Sequence, residues 1–182
     1  MSSQQEQQHA TKFPETMKAC TITGYGTKFS ETCVYSESYP FPLSATANPS
    51  ANVVNALKPN QVLIKVHATA VNPADVKLAE GIISIILPIP TFPYVLGNDI
   101  VGDIVQVGSP NSKFKVGNTV FGERIMCAHA EYAIIDEERL ALVPKELPLE
   151  EAAAAPSAII TAYQSLIKAF PLGSKQPQDE SI

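Results

Sequence analysis

The chain has 182 residues, of which 45% are hydrophobic and 17% are charged, and its formal net charge is −5. This composition is typical of a globular protein, and the acidic balance without a lysine or arginine run argues against nucleic-acid binding, which needs a basic face. Fifteen prolines against nine glycines favour many short segments joined by fixed turns over a few long helices.

The N-terminal residues 1–16 are polar and glutamine-rich, so we expect them to be disordered. They contain no apolar core, as a signal peptide would, and no arginine, as a mitochondrial transit peptide would. The longest apolar run, residues 82–89, is far shorter than the roughly 20 residues that cross a bilayer. We therefore expect a cytoplasmic protein without a membrane partner.

The cysteines are Cys20, Cys33 and Cys127, which are odd in number and far apart. Without a Cys-x-x-Cys pair, they indicate neither a disulfide framework nor a thiolate zinc site. We expect three free thiols in a reducing compartment.

The first predicted elements are strands. Residues 17–22 are β-prone and residues 24–26 indicate a turn, whereas the proline-containing residues 40–60 predict a long surface connection. Residues 62–72 then alternate, with Val62, Ile64 and Val66 on one face and Leu63 and Lys65 on the other. This period of two predicts a half-buried strand.

A short helix is predicted over residues 74–80, ending at Gly81, and a proline-rich, apolar loop follows. Residues 99–107 predict a second strong strand, in which Gly102 marks a bulge or a close backbone contact. Shorter strands are predicted over residues 119–121, 130–135 and 140–143. Short strands at even spacing predict a small barrel or sandwich.

Helical signals begin after Pro144. Pro148, followed by two glutamates, indicates a helix start, and Ser157 is expected to cap a second helix. The apolar residues of that second helix recur at helical spacing on one face: Ile159, Ala162, Tyr163, Leu166 and Ile167.

Three stretches, in this order, resemble the N-terminal half of medium-chain dehydrogenases. They are VLIKVHATAVNPADVKLAEG at residues 62–81, PYVLGNDIVGDIVQVGSPNSKFKVGNTVFG at residues 93–122, and HAEYAIIDEERLALVPKELPLEEAAAAPSAIITAYQSL at residues 129–166. The match is to the zinc-independent medium-chain dehydrogenase/reductase family, of the quinone oxidoreductase and enoyl reductase type. One minor departure is Asn118, which stands where the family usually has aspartate.

The resemblance implies a mainly β (α+β) fold, a GroES-like, partly open β-barrel with short flanking helices. It divides the chain into a tail at residues 1–16, a GroES-like catalytic-type domain at 17–145 and linking helices at 146–182. These helices would lead to a nucleotide-binding Rossmann domain. We expect that domain to be missing, since only 21 residues follow Thr161 and no Gly-x-Gly-x-x-Gly occurs, whereas one βαβ unit needs roughly 30 residues.

No metal is expected. By resemblance, Asn72 takes the position of a zinc-ligating cysteine and Asn98 that of a histidine, and an amide is a poor zinc ligand. His67 and His129 do not form a ligand pair by spacing. The chemistry that remains is hydride transfer from a nicotinamide, NADPH by family tendency, to a quinone, an enone or an enoyl thioester.

The resemblance places Asn72 beside the nicotinamide and the substrate, as a catalytic and cofactor-binding residue, and Thr161 near the nicotinamide. The alternatives are that Asn72 only forms a turn with Pro73 and that Thr161 bonds to its own backbone. Other polar residues are assigned structural positions. Asp75 and Asp99 are expected to hold loops by local hydrogen bonds, Lys77 to face solvent, and Tyr132 and Tyr163 to pack in the core. Residues 82–94 are expected to give an apolar substrate lining.

Three explanations for the missing half stay open. The chain is a fragment of a longer reductase, half of a split enzyme whose partner chain carries the Rossmann half, or a non-catalytic GroES-like binding module. The apolar face of the last helix favours the first explanation and predicts self-association if it is left uncovered. In each case the chain is expected to be inactive alone.

Overall fold

The structure is a computed structural model that describes residues 13–44, 57–86, 88–89 and 91–169. Most of the predicted N-terminal tail, most of the connection after Pro40 and residues 170–182 lie outside the described residues. Within the described ranges, no helix is long and apolar enough to cross a membrane.

The described strands, numbered in chain order, form two antiparallel sheets. They are β1 (Thr16–Ile22), β2 (Cys33–Pro40), β3 (Gln61–Ala70), β4 (Tyr94–Val95), β5 (Asp99–Val107), β6 (Thr119–Glu123), β7 (Tyr132–Asp136) and β8 (Leu140–Leu142). The smaller sheet has the order β2-β1-β4 and the larger one β7-β3-β5-β6-β8. An isolated bridge between Ala19 and Ala130 joins them. The sheets do not close into a complete barrel, which confirms the predicted mainly β, partly open GroES-like architecture.

The helices are short and lie beside the sheets. They are α1 (Phe29–Thr32), α2 (Pro73–Ala79), α3 (Leu149–Ala154) and α4 (Pro156–Tyr163), and α4 continues as a π-helical segment, Gln164–Ala169. A 3-10 turn, Glu137–Arg139, precedes β8. The small alanines of α3, Ala152 and Ala153, are buried against Val101 of β5, so this helix can pack closely on the larger sheet.

Strand β3 lies between β7 and β5 in the larger sheet, and its alternation is only partly as predicted. Val62 and Ile64 pack with Ile100 in one core cluster. Leu63, predicted for the polar face, is 0% exposed because it packs against Phe41 and Leu57 in a second cluster. Strand β3 is therefore buried on both faces at its start, and one face of it opens to solvent only beyond Ile64.

The predicted close contact at Gly102 is confirmed. Gly102 is paired with Val66 in the β3–β5 register. A Cβ added at Gly102 would lie 2.2 Å from the backbone oxygen of Lys65 and 2.7 Å from Cγ2 of Ile64. Strands β3 and β5 can approach this closely only because the side chain is absent.

The predicted end of α2 is confirmed: Gly81 follows it with φ 77°, a left-handed conformation that glycine adopts without strain. The predicted cap at Ser157 is wrong. Ala155 occupies the N-cap position and Pro156 begins α4, so Ser157 lies inside the first turn.

The core positions predicted for Tyr132 and Tyr163 have different outcomes. Tyr132 is half-buried with its ring centroid 5.1 Å from that of Phe41, which confirms its core position. Tyr163 is 57% exposed, so its predicted core position is wrong. The helical spacing correctly groups Tyr163 with other apolar residues, but no described element covers that face.

Gly102→Ala should destabilise the protein by roughly 3 kcal/mol, because the added methyl meets backbone atoms that cannot move independently of the sheet. Urea unfolding followed by circular dichroism measures the change. Gly24→Ala is the matched control: no atom lies within 4 Å of an added Cβ there, so its effect should stay within about 0.5 kcal/mol. Equal effects at the two positions would contradict the close β3–β5 contact.

Candidate functional site

Asn72 occupies the turn that joins β3 to α2 and is the N-cap residue of that helix. Its backbone N–H donates to Oδ2 of Asp75 over 2.8 Å, and its backbone oxygen accepts from the N–H of Asp75 over 3.0 Å. These reciprocal bonds hold the turn and confirm the local role predicted for Asp75. Lys77, on the same helix, is exposed as predicted.

The side chain of Asn72 faces the backbone N–H of Asp75 in a capping box, and it is also held from a different part of the chain. Its Nδ2 donates to Oδ2 of Asp99 over 2.9 Å. Asp99 is the first residue of β5, is 0% exposed, and is paired with Ala70 in the β3–β5 register. The hydrogen bonds of Asp99 are therefore long-range, so the prediction from the sequence that Asp99 makes local hydrogen bonds is wrong.

The other oxygen of Asp99 reaches α4. Its Oδ1 accepts from the backbone N–H of Ser157 over 2.9 Å and from the Ser157 hydroxyl over 2.6 Å. Thr161 follows Ser157 by one helical turn, so both lie on the same side of α4. The hydrogen bonds from Asn72 through Asp99 to Ser157 thus connect the Asn72 turn to the first turn of α4, the helix that contains Thr161. Thr161 is exposed and Asn72 is half-buried.

A second buried side chain, His129, lies close to Asp75 in the first turn of α2. Only 8% of its side chain is exposed, and its Nε2 is 3.9 Å from Oδ2 of Asp75. Burial lowers the pKa of His129, opposed by the negative charges of Asp75 and Asp99. Burial also raises the pKa of Asp75, opposed chiefly by the backbone N–H of Asn72. The sequence did not predict this pair, because the two residues lie far apart in the chain and carry no metal-ligand spacing.

The tautomer of His129 follows from the hydrogen bonds of Thr69. The Thr69 hydroxyl donates its one proton to the backbone oxygen of Asp99 over 2.7 Å. At its 3.0 Å contact with Nδ1 of His129, Thr69 must therefore accept, so Nδ1 carries a proton. In the neutral ring Nε2 is then bare, and it has no hydrogen-bond partner among the described residues.

Gly97 makes room for the ring of His129. It has φ 89°, and an added Cβ would lie 2.5 Å from Nδ1 of His129. The imidazole therefore packs directly on the backbone just before Asp99.

The amide of Asn98, at the expected position of a zinc-ligating histidine, holds a neighbouring loop. Its Oδ1 accepts from the N–H of Met126 over 3.3 Å, and its backbone oxygen accepts from the N–H of Arg124 over 2.9 Å. Within the part of the chain that the structure describes, no group of three or more His, Cys, Asp or Glu side chains could hold a metal ion.

Apolar side chains are exposed on either side of α2. Val71 precedes the turn and is 66% exposed, whereas Ile85 and Ile86, in the turns after the helix, are 95% and 85% exposed. The segment that the sequence predicts as an apolar lining therefore carries exposed isoleucines. An uncharged, largely apolar molecule would suit such a surface.

Residues 58–164 match the alcohol dehydrogenase GroES-like domain. Among curated proteins, the 2-methylene-furan-3-one reductase of Solanum lycopersicum is 36% identical over a 166-residue alignment that covers 86% of this chain and 38% of the relative. The chloroplastic NADPH-dependent alkenal/one oxidoreductase of Arabidopsis thaliana is 38% identical over a 126-residue alignment that covers 64% of this chain and 32% of the relative.

Among solved structures, the quinone oxidoreductase from Coxiella burnetii superposes with a TM-score of 0.68 at 28% sequence identity. The superposition covers 84% of this chain and 45% of that protein. The chain therefore spans less than half the length of the relatives it matches.

We predict that His129 is a neutral imidazole with the proton on Nδ1, and that its pKa lies below the ordinary value of 6.5. Nitrogen-15 NMR identifies the tautomer, and a pH titration of the ring signals gives the pKa. Thr69→Val, which keeps the shape but removes the acceptor, should release the tautomer preference. A ring in the wild-type chain with the proton on Nε2 would contradict the assignment.

The lowered pKa of His129 determines how the stability of the folded protein changes with pH. The unfolded state binds the His129 proton first as the pH falls below 6.5, so the free energy of unfolding should decrease as the pH falls through the folded pKa. Replacing His129 by Gln should remove this contribution, which unfolding experiments at a series of pH values would detect.

Proposed function

Because the chain belongs to the medium-chain dehydrogenase/reductase family, through its alcohol dehydrogenase GroES-like domain, we propose that it is the substrate-side part of an NAD(P)H-dependent oxidoreductase. It reduces quinones, enones or enoyl thioesters by hydride transfer, without a metal. The names of the relatives, a furanone reductase and an alkenal/one oxidoreductase, support this substrate class.

The observation that carries the proposal is the fixed carboxamide of Asn72 at the end of β3. Hydride addition to a quinone or an activated C=C bond leaves negative charge that delocalises onto an oxygen. A pre-oriented hydrogen-bond donor stabilises that charge. One N–H of Asn72 Nδ2 is bonded to Asp99, and the second can donate to the substrate oxygen. The exposed side chains of Val71 and Ile85 offer an apolar surface on either side of α2.

The cofactor of the proposed reaction is NADPH, which supplies the hydride. Asn72 and Thr161 are the residues proposed to contact the nicotinamide. Both side chains are polar, uncharged and accessible, which suits contact with the neutral carboxamide group of the nicotinamide. The preference for NADPH over NADH is supported by the name of the Arabidopsis relative.

The rest of the cofactor site is proposed to lie outside these residues, on a nucleotide-binding half in the same polypeptide or in a partner chain. Its pyrophosphate would need a glycine-rich turn at a helix N-terminus. We propose that this half covers the exposed apolar residues of α4 and its continuation: Ile159, Ile160, Tyr163, Leu166 and Ile167. We also propose that the GroES-like domain ends at residue 145 and that the helices linking it to the nucleotide-binding half begin at residue 146.

The isolated 182-residue chain should bind NADPH only weakly, with a dissociation constant above about 1 mM, because Asn72 and Thr161 contact only the nicotinamide end of the molecule. Isothermal titration calorimetry tests this. Saturable micromolar binding would contradict the proposal, since it would mean that the chain, alone or as a pair of copies, forms a complete cofactor site.

A chimera tests the catalytic role. Residues 1–169 are fused to the nucleotide-binding half of the Coxiella quinone oxidoreductase, and NADPH oxidation is followed with a quinone and with an enone. Asn72→Ala should lower kcat by roughly 100-fold, the usual loss for one pre-oriented donor. The exposed Lys77→Ala is the control and should leave kcat unchanged.

Two outcomes would contradict the proposal. Full activity of the Asn72→Ala chimera would remove Asn72 from the catalytic site. A folded chimera that binds NADPH yet reduces neither acceptor would favour a non-catalytic binding module.

A further inference from the structure

We propose that Asp99 is a positioning residue, which ties the orientation of the Asn72 carboxamide to the position of the first turn of α4. This inference deepens the proposed function and rests on it for its catalytic consequence. The structural coupling between Ser157 and Asn72 can be tested without any activity.

The two oxygens of Asp99 serve different elements. Oδ2 accepts from Nδ2 of Asn72 over 2.9 Å, whereas Oδ1 accepts from the N–H of Ser157 over 2.9 Å and from its hydroxyl over 2.6 Å. A carboxylate is planar and rigid, so a displacement of α4 that rotates this group also moves the acceptor of Asn72. Asp99 is 0% exposed, so water cannot easily replace either partner.

The contact with Asp99 selects one of two amide orientations. The terminal torsion of an asparagine is broad and roughly two-fold, so a free Asn72 could present either its oxygen or its nitrogen to a ligand. Rotating the amide by half a turn would place its oxygen against Oδ2 of Asp99, and two acceptors repel each other. Asp99, together with the capping box that Asn72 forms with Asp75, therefore keeps Nδ2 inward and leaves the second N–H of Nδ2 to donate to a ligand.

Helix α4 depends on the same carboxylate. Its N-cap residue, Ala155, has no side-chain acceptor, and no side-chain cap bond is formed within the helix. Pro156 has no N–H, so Ser157 supplies the first N–H of the helix that needs a partner. Asp99 accepts this N–H from 58 residues away along the chain. A shift of the helix start thus acts on Asp99 directly.

Asp75 differs from Asp99 in what it holds. The Asp75 side chain accepts the backbone N–H of Asn72 over 2.8 Å, and the backbone N–H of Asp75 faces the Asn72 side chain in a capping box. Asp99 alone, among the described residues that bond to Asn72, contacts its amide nitrogen. The contact with Asp99 can therefore be lost while the backbone hydrogen bonds of the turn stay intact.

The test uses Ser157→Ala, which removes one of the two bonds from α4, and Ser157→Thr, which keeps a hydroxyl. The readout is the pair of side-chain N–H signals of Asn72 in nitrogen-15 NMR of the 182-residue chain, assigned by their loss in Asn72→Ala. In Ser157→Ala these signals should shift and exchange with solvent at least several-fold faster. In Ser157→Thr they should stay at their wild-type positions.

Asp99→Asn provides the stronger perturbation, since an amide cannot accept at both ends. If Asp99→Asn fails to fold, the NMR signals of Asn72 in Ser157→Ala still test the proposal. Unchanged Asn72 signals in Ser157→Ala, accompanied only by lower resistance to urea, would overturn the proposal and leave Asp99 a purely structural residue.

Activity of the chimera separates this proposal from the proposed function. Ser157→Ala should lower kcat by roughly 10-fold with little change in KM for NADPH, and Ser157→Thr should restore it. If NMR shows the coupling but Asn72→Ala retains full activity, the positioning holds and the catalytic role of Asn72 fails. If Asn72→Ala is inactive and Ser157→Ala changes neither the signals nor kcat, the positioning fails and the proposed function stands.

Discussion

The antiparallel pairing of β3 with β5 is the constraint on which the candidate site depends. In this register Ala70 is paired with Asp99, so the last residue of one strand lies beside the first residue of the other. The turn containing Asn72 leaves β3 two residues later. A register fixed by buried side chains and by the close approach at Gly102 therefore sets which carboxylate the Asn72 amide meets. A slip of one residue would turn the buried side chains of one strand to its opposite face and separate these groups.

Burial makes the hydrogen bonds of Asp99 a requirement of the fold as well as of the site. A buried carboxylate without donors is strongly destabilising, and the donors come from Asn72 and Ser157. The interactions that stabilise the folded chain are thus the ones that orient the amide. Asp75 and His129 are also buried, and burial changes the pKa of each. Their pKa values move in opposite directions, up for the acid and down for the base, so burial favours the neutral form of each.

Much of the fold follows from sequence patterns, and the exceptions have physical reasons. Strand β5, helix α2 and the close contact at Gly102 were predicted, because alternation, capping and glycine chemistry are local. Strand β2 was not predicted, since its mixed polar sequence, CVYSESYP, is only half-buried or exposed and it forms by pairing with β1. Leu63 was assigned to the polar face because periodicity does not reveal a second core cluster. Ser157 was assigned a cap because the sequence does not show that Pro156 takes the first helical position.

The sequence by itself determined the family and the GroES-like fold class. These depend on residue identity and on order along the chain, which the motifs preserve. By resemblance it predicted Asn72 and Thr161 as site residues, but it could not show which residues hold the Asn72 side chain. Only the tertiary structure revealed that Asp99 joins Asn72 to Ser157, and that His129 lies beside Asp75. Each of these contacts joins residues more than twenty-five positions apart, and such contacts exist only after the strands pair and the helices pack.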